Sequence, residues 1–172
     1  MVDPVGDMVD RNGRPTKGAG YSDLKRVSAS LSPSQLVVEL TLAAVPPRAD
    51  PFYNELDYGF WLDTNSDGQP DEQVGIQEAD AGLPFTATIT DVPSGQTHDA
   101  PGVVVQAGAT FRVTFDVALF GNPRTIGIEA YTERHNYADP VNHPFDSSDF
   151  FDVAPSPSWP DAGARWLLVG RG

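Results

Sequence analysis

The chain contains no cysteine. That excludes a disulfide scaffold, a thiolate zinc site and a cysteine nucleophile, and it suits a surface protein as well as a cytosolic one. Basic residues are scarce too: 11 Lys and Arg stand against 24 Asp and Glu, a formal net charge of −13. Nucleic acids and anionic membranes both require clustered positive charge, so no nucleic-acid partner is expected. No apolar run approaches the roughly 20 residues that span a bilayer as a helix, and no membrane insertion is expected either. Met1-Val2-Asp3-Pro4 has neither the basic nor the apolar region of a signal peptide. If the protein is exported, this chain is the mature part, with Met1 an addition.

Catalytic signatures are equally thin. The three histidines, His98, His135 and His143, sit beside turn-like residues with no spacing that suggests a shared zinc ion. There is no G-x-S-x-G elbow, no phosphate-binding glycine loop and no H-E-x-x-H. Acidic pairs abound, but in so acidic a chain they arise by chance and carry no case for a glycosidase dyad. The chain is read as non-enzymatic, with no catalytic residue.

Of the 172 residues, 40% are hydrophobic and 20% charged, which is a globular balance and enough for one buried core. Residues 1–172 are read as a single domain with an irregular, Gly- and Pro-rich N-terminal arm over 1–20. From there the pattern has period two. Gln35 to Val45 puts Leu36, Val38, Leu40, Leu42 and Ala44 on one face, and Pro46-Pro47 stops the ladder. Phe111, Val113, Phe115 and Val117 alternate with Arg112, Thr114 and Asp116, and Ile126, Ile128 and Ala130 point inward from a further strand. Helical spacing is absent throughout. The spacing predicts an all-β, antiparallel two-sheet β-sandwich, jelly-roll-like, with eight or nine strands.

One stretch carries chemistry in its spacing. Between the aromatic run Tyr58-Gly59-Phe60-Trp61-Leu62 and Gln73–Gln77 lies Asp63-Thr64-Asn65-Ser66-Asp67-Gly68-Gln69-Pro70-Asp71-Glu72. Oxygen-bearing side chains at loop positions 1, 3, 5 and 9, with glycine at position 6, match most of a calcium loop. Asp63, Asn65, Asp67 and Asp71 would supply side-chain oxygens and Gln69 its carbonyl. The twelfth position is Val74 where an EF-hand has a bidentate glutamate, and the flanks are strands, so a missing ligand has to come from Glu72 or from elsewhere in the fold. Acids also gather at Asp3 and Asp7, with Asp23 beyond them, and at Asp139, Asp146, Asp149 and Asp152 with Asn136 and Asn142 among them. The last group reads as a solvated loop. Aromatics at Phe52, Tyr53, Tyr58, Trp61, Trp159 and Trp166 allow a second use, a stacking platform for sugar rings, although sandwich cores also consume aromatics. Trp61 shares a face with Asp63, which leans it toward the surface or the loop.

Taken together, Asp3-Pro4-x-Gly6-Asp7, the Asp23-Leu24 strand entry, the Trp61-Leu62-Asp63-Thr64-Asn65-x-Asp67-Gly68 loop and Asp152-Val153-Ala154-Pro155 resemble a known domain type. It is the β-sandwich module appended to secreted bacterial subtilisin-like proteases and glycoside hydrolases. It is similar to the glucodextranase C-terminal module, related to carbohydrate-binding and DOMON-like domains. The resemblance implies a jelly-roll-like sandwich with bound calcium, an accessory role that is sometimes carbohydrate binding, and a secreted or cell-surface setting. It also implies that Asp3 and Asp7 join the metal ligands. The expected function is a non-catalytic calcium-binding module whose ion stabilises the fold. The alternatives are a carbohydrate-binding module using Trp61 and Tyr58, or a structural domain that self-associates or packs on a neighbouring domain of the parent protein.

Overall fold

The computed structural model describes residues 1–9, 20–47, 55–78, 85–100, 103–135, 148–154 and 166–172. Asn136, Asp139, Asn142, His143, Asp146 and the aromatics Phe52, Tyr53 and Trp159 lie outside the described residues, as do the side chains of Asp149 and Asp152.

Eleven strands are found among the described residues: β1 (Leu24–Leu31), β2 (Gln35–Leu42), β3 (Glu55–Asp63), β4 (Glu72–Glu78), β5 (Phe85–Asp91), β6 (Gln96–Asp99), β7 (Val103–Ala107), β8 (Thr110–Asp116), β9 (Thr125–His135), β10 (Ser148–Ala154) and β11 (Leu167–Gly170). They form two antiparallel sheets, a four-stranded one in the order β1-β2-β8-β7 and a seven-stranded one in the order β10-β9-β3-β4-β5-β6, with β11 also on β9. The two strands beyond the expected nine are β6 and β10. Gln96-Thr97-His98-Asp99 is exposed along its length and has no apolar alternation to announce it. β10 lies in the acidic stretch and is defined by pairing with β9, from Ser148↔His135 to Ala154↔Ala130.

Where alternation was strict, the faces are as expected. Leu36, Val38, Leu40 and Leu42 of β2 meet Phe111, Val113 and Phe115 of β8 in the core, every one of them at most 1% exposed. Opposite them the larger sheet contributes Tyr58, Phe60, Leu62, Val74, Ile76, Ile126, Ile128 and Ala130. Burying these faces against each other is the main term that holds the sandwich together. β2 ends at Leu42, short of the prolines, because Ala43 and Ala44 give their N–H groups to the Asp23 and Gly20 carbonyls. A 3-10 turn over Gly20–Ser22 thus closes this end of the sandwich. It is tied to the larger sheet as well: the Tyr58 hydroxyl donates to the Tyr21 carbonyl and the Thr132 hydroxyl to that of Ser22.

Candidate metal centre

The 63–72 loop joins β3 to β4, and its hairpin is closed by the Asp71 N–H on the Leu62 carbonyl at 2.8 Å. Gly68 takes the left-handed φ of 84° that the reversal needs. The side chains of Asp63, Asn65, Asp67 and Asp71 do turn toward the loop, but each already accepts from a donor within it. Asp63 accepts from the Ser66 N–H at 2.6 Å and the Gly68 N–H at 3.0 Å, Asn65 from Asp67 at 2.8 Å, and Asp67 from Gln69 at 2.8 Å. Asp71 accepts from the Thr64 N–H and hydroxyl and from the Asn65 N–H and side-chain amide. Such short-range side-chain-to-backbone bonds organise a turn without a cation. Glu72 does not complete a shell here. It pairs with Leu62 and so lies on the opposite face of the sheet from Asp63. One of its oxygens is buried without a partner among the described residues, and burial first, then the Asp91 carboxylate, pushes its pKa up while His98 pulls the other way.

The N-terminal acids behave differently. Residues 1–3 run along the edge of β1: the Asp3 N–H donates to the Lys25 carbonyl at 3.0 Å and the Val27 N–H to that of Met1 at 3.2 Å. The chain then turns at Gly6, whose φ of 91° suits glycine, and its N–H donates to Asp23 Oδ2 at 2.8 Å. This gives the Asp3-Pro4-x-Gly6-Asp7 spacing its use, because the turn carries Asp3 and Asp7 back to Asp23. Asp3 is 7% exposed and Asp23 5%, and Asp3 Oδ2, Asp23 Oδ1 and the Ser22 hydroxyl are all buried without a hydrogen-bond partner among the described residues. Burial, with the Asp7 and Asp23 charges adding to it, raises the Asp3 pKa from 3.8 to about 7. Asp23 is raised too, by burial first and then by Asp7, against the lowering bond from Gly6. Unpaired buried carboxylates cost far more than exposed ones, so this corner is under electrostatic strain as it stands. Among the described residues no three His, Asp or Glu side chains converge on one point as ready-made ligands.

Arm and loop are separate places. The Ser22 carbonyl sits by Thr132, which pairs with Tyr58, whereas the loop begins at Asp63, opposite Gly127. From Tyr58 to Asp63 along extended β3 is about 17 Å. Asp3 and Asp7 therefore do not complete the loop's shell, which corrects the expectation that they would. Strand register decided the matter, and no local spacing reveals it. Asp152 of β10 pairs with Thr132, which puts its backbone at the arm's end of the sandwich, where β10 packs on the Gly20–Ser22 turn.

The two aromatics proposed as a platform are both interior. Tyr58 is 1% exposed and packs on Phe111 with ring centroids 4.8 Å apart. Trp61 leaves the core for the outer face of the larger sheet, as its alternation with Phe60 requires, yet it is only 5% exposed. It is stacked 4.3 Å from Tyr131 in a second apolar cluster with Val153 and the partly buried Trp166. Two residues of interest escaped the sequence: Ser22, which nothing marks, and Glu129, the acid inside the Thr125–Tyr131 run, which is 0% exposed. Comparison with protein-family models and with curated protein sequences finds no match to this chain.

Proposed function

We propose that this protein is a non-catalytic β-sandwich module of a secreted or cell-surface protein, stabilised by a calcium ion at its N-terminal arm. Asp3, Asp7 and Asp23 are the proposed side-chain ligands, with the Ser22 hydroxyl beside them. One observation carries the reading: Asp3 Oδ2 and Asp23 Oδ1 are buried, acceptor-only oxygens without a donor among the described residues, and a third acid, Asp7, raises the pKa of both residues. A hard divalent cation satisfies such oxygens and cancels their repulsion. Calcium suits them better than magnesium, since its loose six- to eight-oxygen shell tolerates an irregular arm while magnesium demands a near-ideal octahedron. The acids of the 63–72 loop accept bonds from its own N–H groups, so the arm is the stronger candidate of the two. The resemblance of the Asp3–Asp7 motif to calcium-bearing accessory modules points the same way.

The ion's contribution is structural. Bound at the arm, it would clamp residues 3–7 to the entry of β1 and to the Gly20–Ser22 turn, which is bonded to both sheets. Ligand that binds only the folded state stabilises by mass action, about 2.7 kcal/mol at a hundredfold excess over Kd. Titration calorimetry in calcium-free buffer, paired with thermal unfolding in calcium and in chelator, tests this. One ion per chain and a higher melting temperature in calcium are expected, with a weaker response to magnesium. A melting curve indifferent to calcium overturns the proposal, and two ions per chain would restore the 63–72 loop as a site.

A further inference from the structure

Glu129 lies midway along β9, on the outer face of the larger sheet and one strand in from its edge, at the point where β9 changes partners. On one side β9 pairs with β3, where Trp61 is opposite Glu129. On the other side β10 ends with Ala154 opposite Ala130, and β11 begins with Leu167 opposite Ile128. Glu129 therefore falls in the break between those two strands. It is 0% exposed, and among the described residues neither carboxylate oxygen has a hydrogen-bond partner.

Neutral groups wall it in. Trp61 and Tyr131 stack beside it, and the Tyr131 hydroxyl is fixed by an N–H of the Gln73 side chain at 2.9 Å. The Tyr131 ring can lie there only because residue 59 is glycine, as a Cβ would come within 2.7 Å of it. The Trp166 ring covers Gly127, where a Cβ would fall 3.0 Å from it, and the indole N–H reaches the Gly68 carbonyl at 3.4 Å. Among the described side chains, the charged and titratable groups facing this side from the neighbouring elements are Asp57 and Asp63 of β3, Tyr131 and Glu133 of β9, and Asp67 and Asp71 of the loop under Trp166. β4 offers neutral Gln73, β10 Val153 and β11 Trp166. Among the described residues, no cation faces Glu129.

We propose that Glu129 is a proton-operated latch: as the neutral acid it lets the Trp61–Tyr131–Trp166 cover close over the β10–β11 break, and as the carboxylate it forces that cover open. With neither donor nor cation beside it among the described residues, the carboxylate is costly to hold buried, so its ionisation is accompanied by water entry or by displacement of the cover. Burial alone pushes this acid from 4.5 up to about 7, which puts the change in the neutral range. Tyr131, whose own pKa burial drives up, stays neutral across that range and takes no part.

Hydrogen exchange and tryptophan emission, followed between about pH 5 and pH 8.5 in calcium-saturated protein and again in the Asp3→Asn background, test the latch. The Asp3→Asn background removes the arm's acid that titrates near 7 whether or not calcium binds, so in that background a fault in the calcium reading does not affect the result. Protection of amides in 126–131 and 166–170 should fall by about tenfold or more from pH 6 to pH 8.5, beyond the intrinsic acceleration, with a matching change in emission. Glu129→Gln should hold the closed, low-pH signature throughout, and Glu129→Met, similar in length and without donors, should do the same if the amide fails to fold. A wild-type protein with no transition in this range overturns the proposal, as does a transition that survives in either variant.

Discussion

Replacing Asp3 by Asn separates strain from metal binding, because it removes the buried charge and spoils the ligand together. With calcium absent at about pH 8, the wild-type arm holds Asp3 ionised although its pKa has risen from 3.8 to about 7. At about 1.4 kcal/mol per pH unit this corresponds to about 4 kcal/mol at most, and partial access to water brings the realistic figure to about 2 kcal/mol. In a domain of this size 1 kcal/mol is worth about 2–4 °C, so calcium-free Asp3→Asn should melt about 4–8 °C above calcium-free wild type. The same variant should lose most of the calcium-dependent rise. The pH course fixes the sign. The folded state keeps the Asp3 proton up to about 7 and the unfolded chain releases it near 3.8. The contribution is therefore fully present below about pH 4 and is lost as pH climbs to 7. Calcium competes with that proton, so its affinity should increase over the same window. Differential scanning calorimetry across pH, with and without calcium, reads all of this. An Asp3→Asn protein that melts below wild type without calcium and still responds fully to calcium would refute the reasoning.

Other perturbations reach other parts of the argument. Asp63→Ala strips the acceptor from the Ser66 and Gly68 N–H groups and should cost about 1–2 kcal/mol in urea unfolding, while the calcium response stays as in wild type. Gly59→Ala sets a methyl group against the Tyr131 ring and the Val74 carbonyl and should destabilise by about 1–3 kcal/mol, with a shift in tryptophan emission from the displaced Trp61 stack. Arg112→Ala breaks the 2.9 Å ion pair with Glu39, but both side chains are well exposed, at 54% and 38%. Its effect should stay within about 1 kcal/mol and shrink further in high salt.

The class of fold and most of its faces were legible in the order of the residues. Period-two alternation is a local property: each residue of β2 or β8 faces in or out by its own parity, so Leu36–Leu42 and Phe111–Phe115 declared the core without reference to anything distant. Acid spacing at 63–72 likewise announced a tight, oxygen-lined loop, and that loop exists. What the loop needs is a different question, because its own N–H groups compete for the same oxygens and their aim depends on backbone turns that composition does not specify. Only the tertiary structure decided where the unsatisfied charge lies. Asp3 and Asp23 become a buried pair through pairing of the arm with β1, a contact across some twenty residues of chain. Trp61 and Glu129, outward by parity and so exposed by the usual rule, become interior because Tyr131, Val153 and Trp166 arrive from β9, β10 and the entry to β11 to form a second apolar layer over the outer face. Parity tells a residue which way to point, and the non-local pairing of strands determines whether water is there.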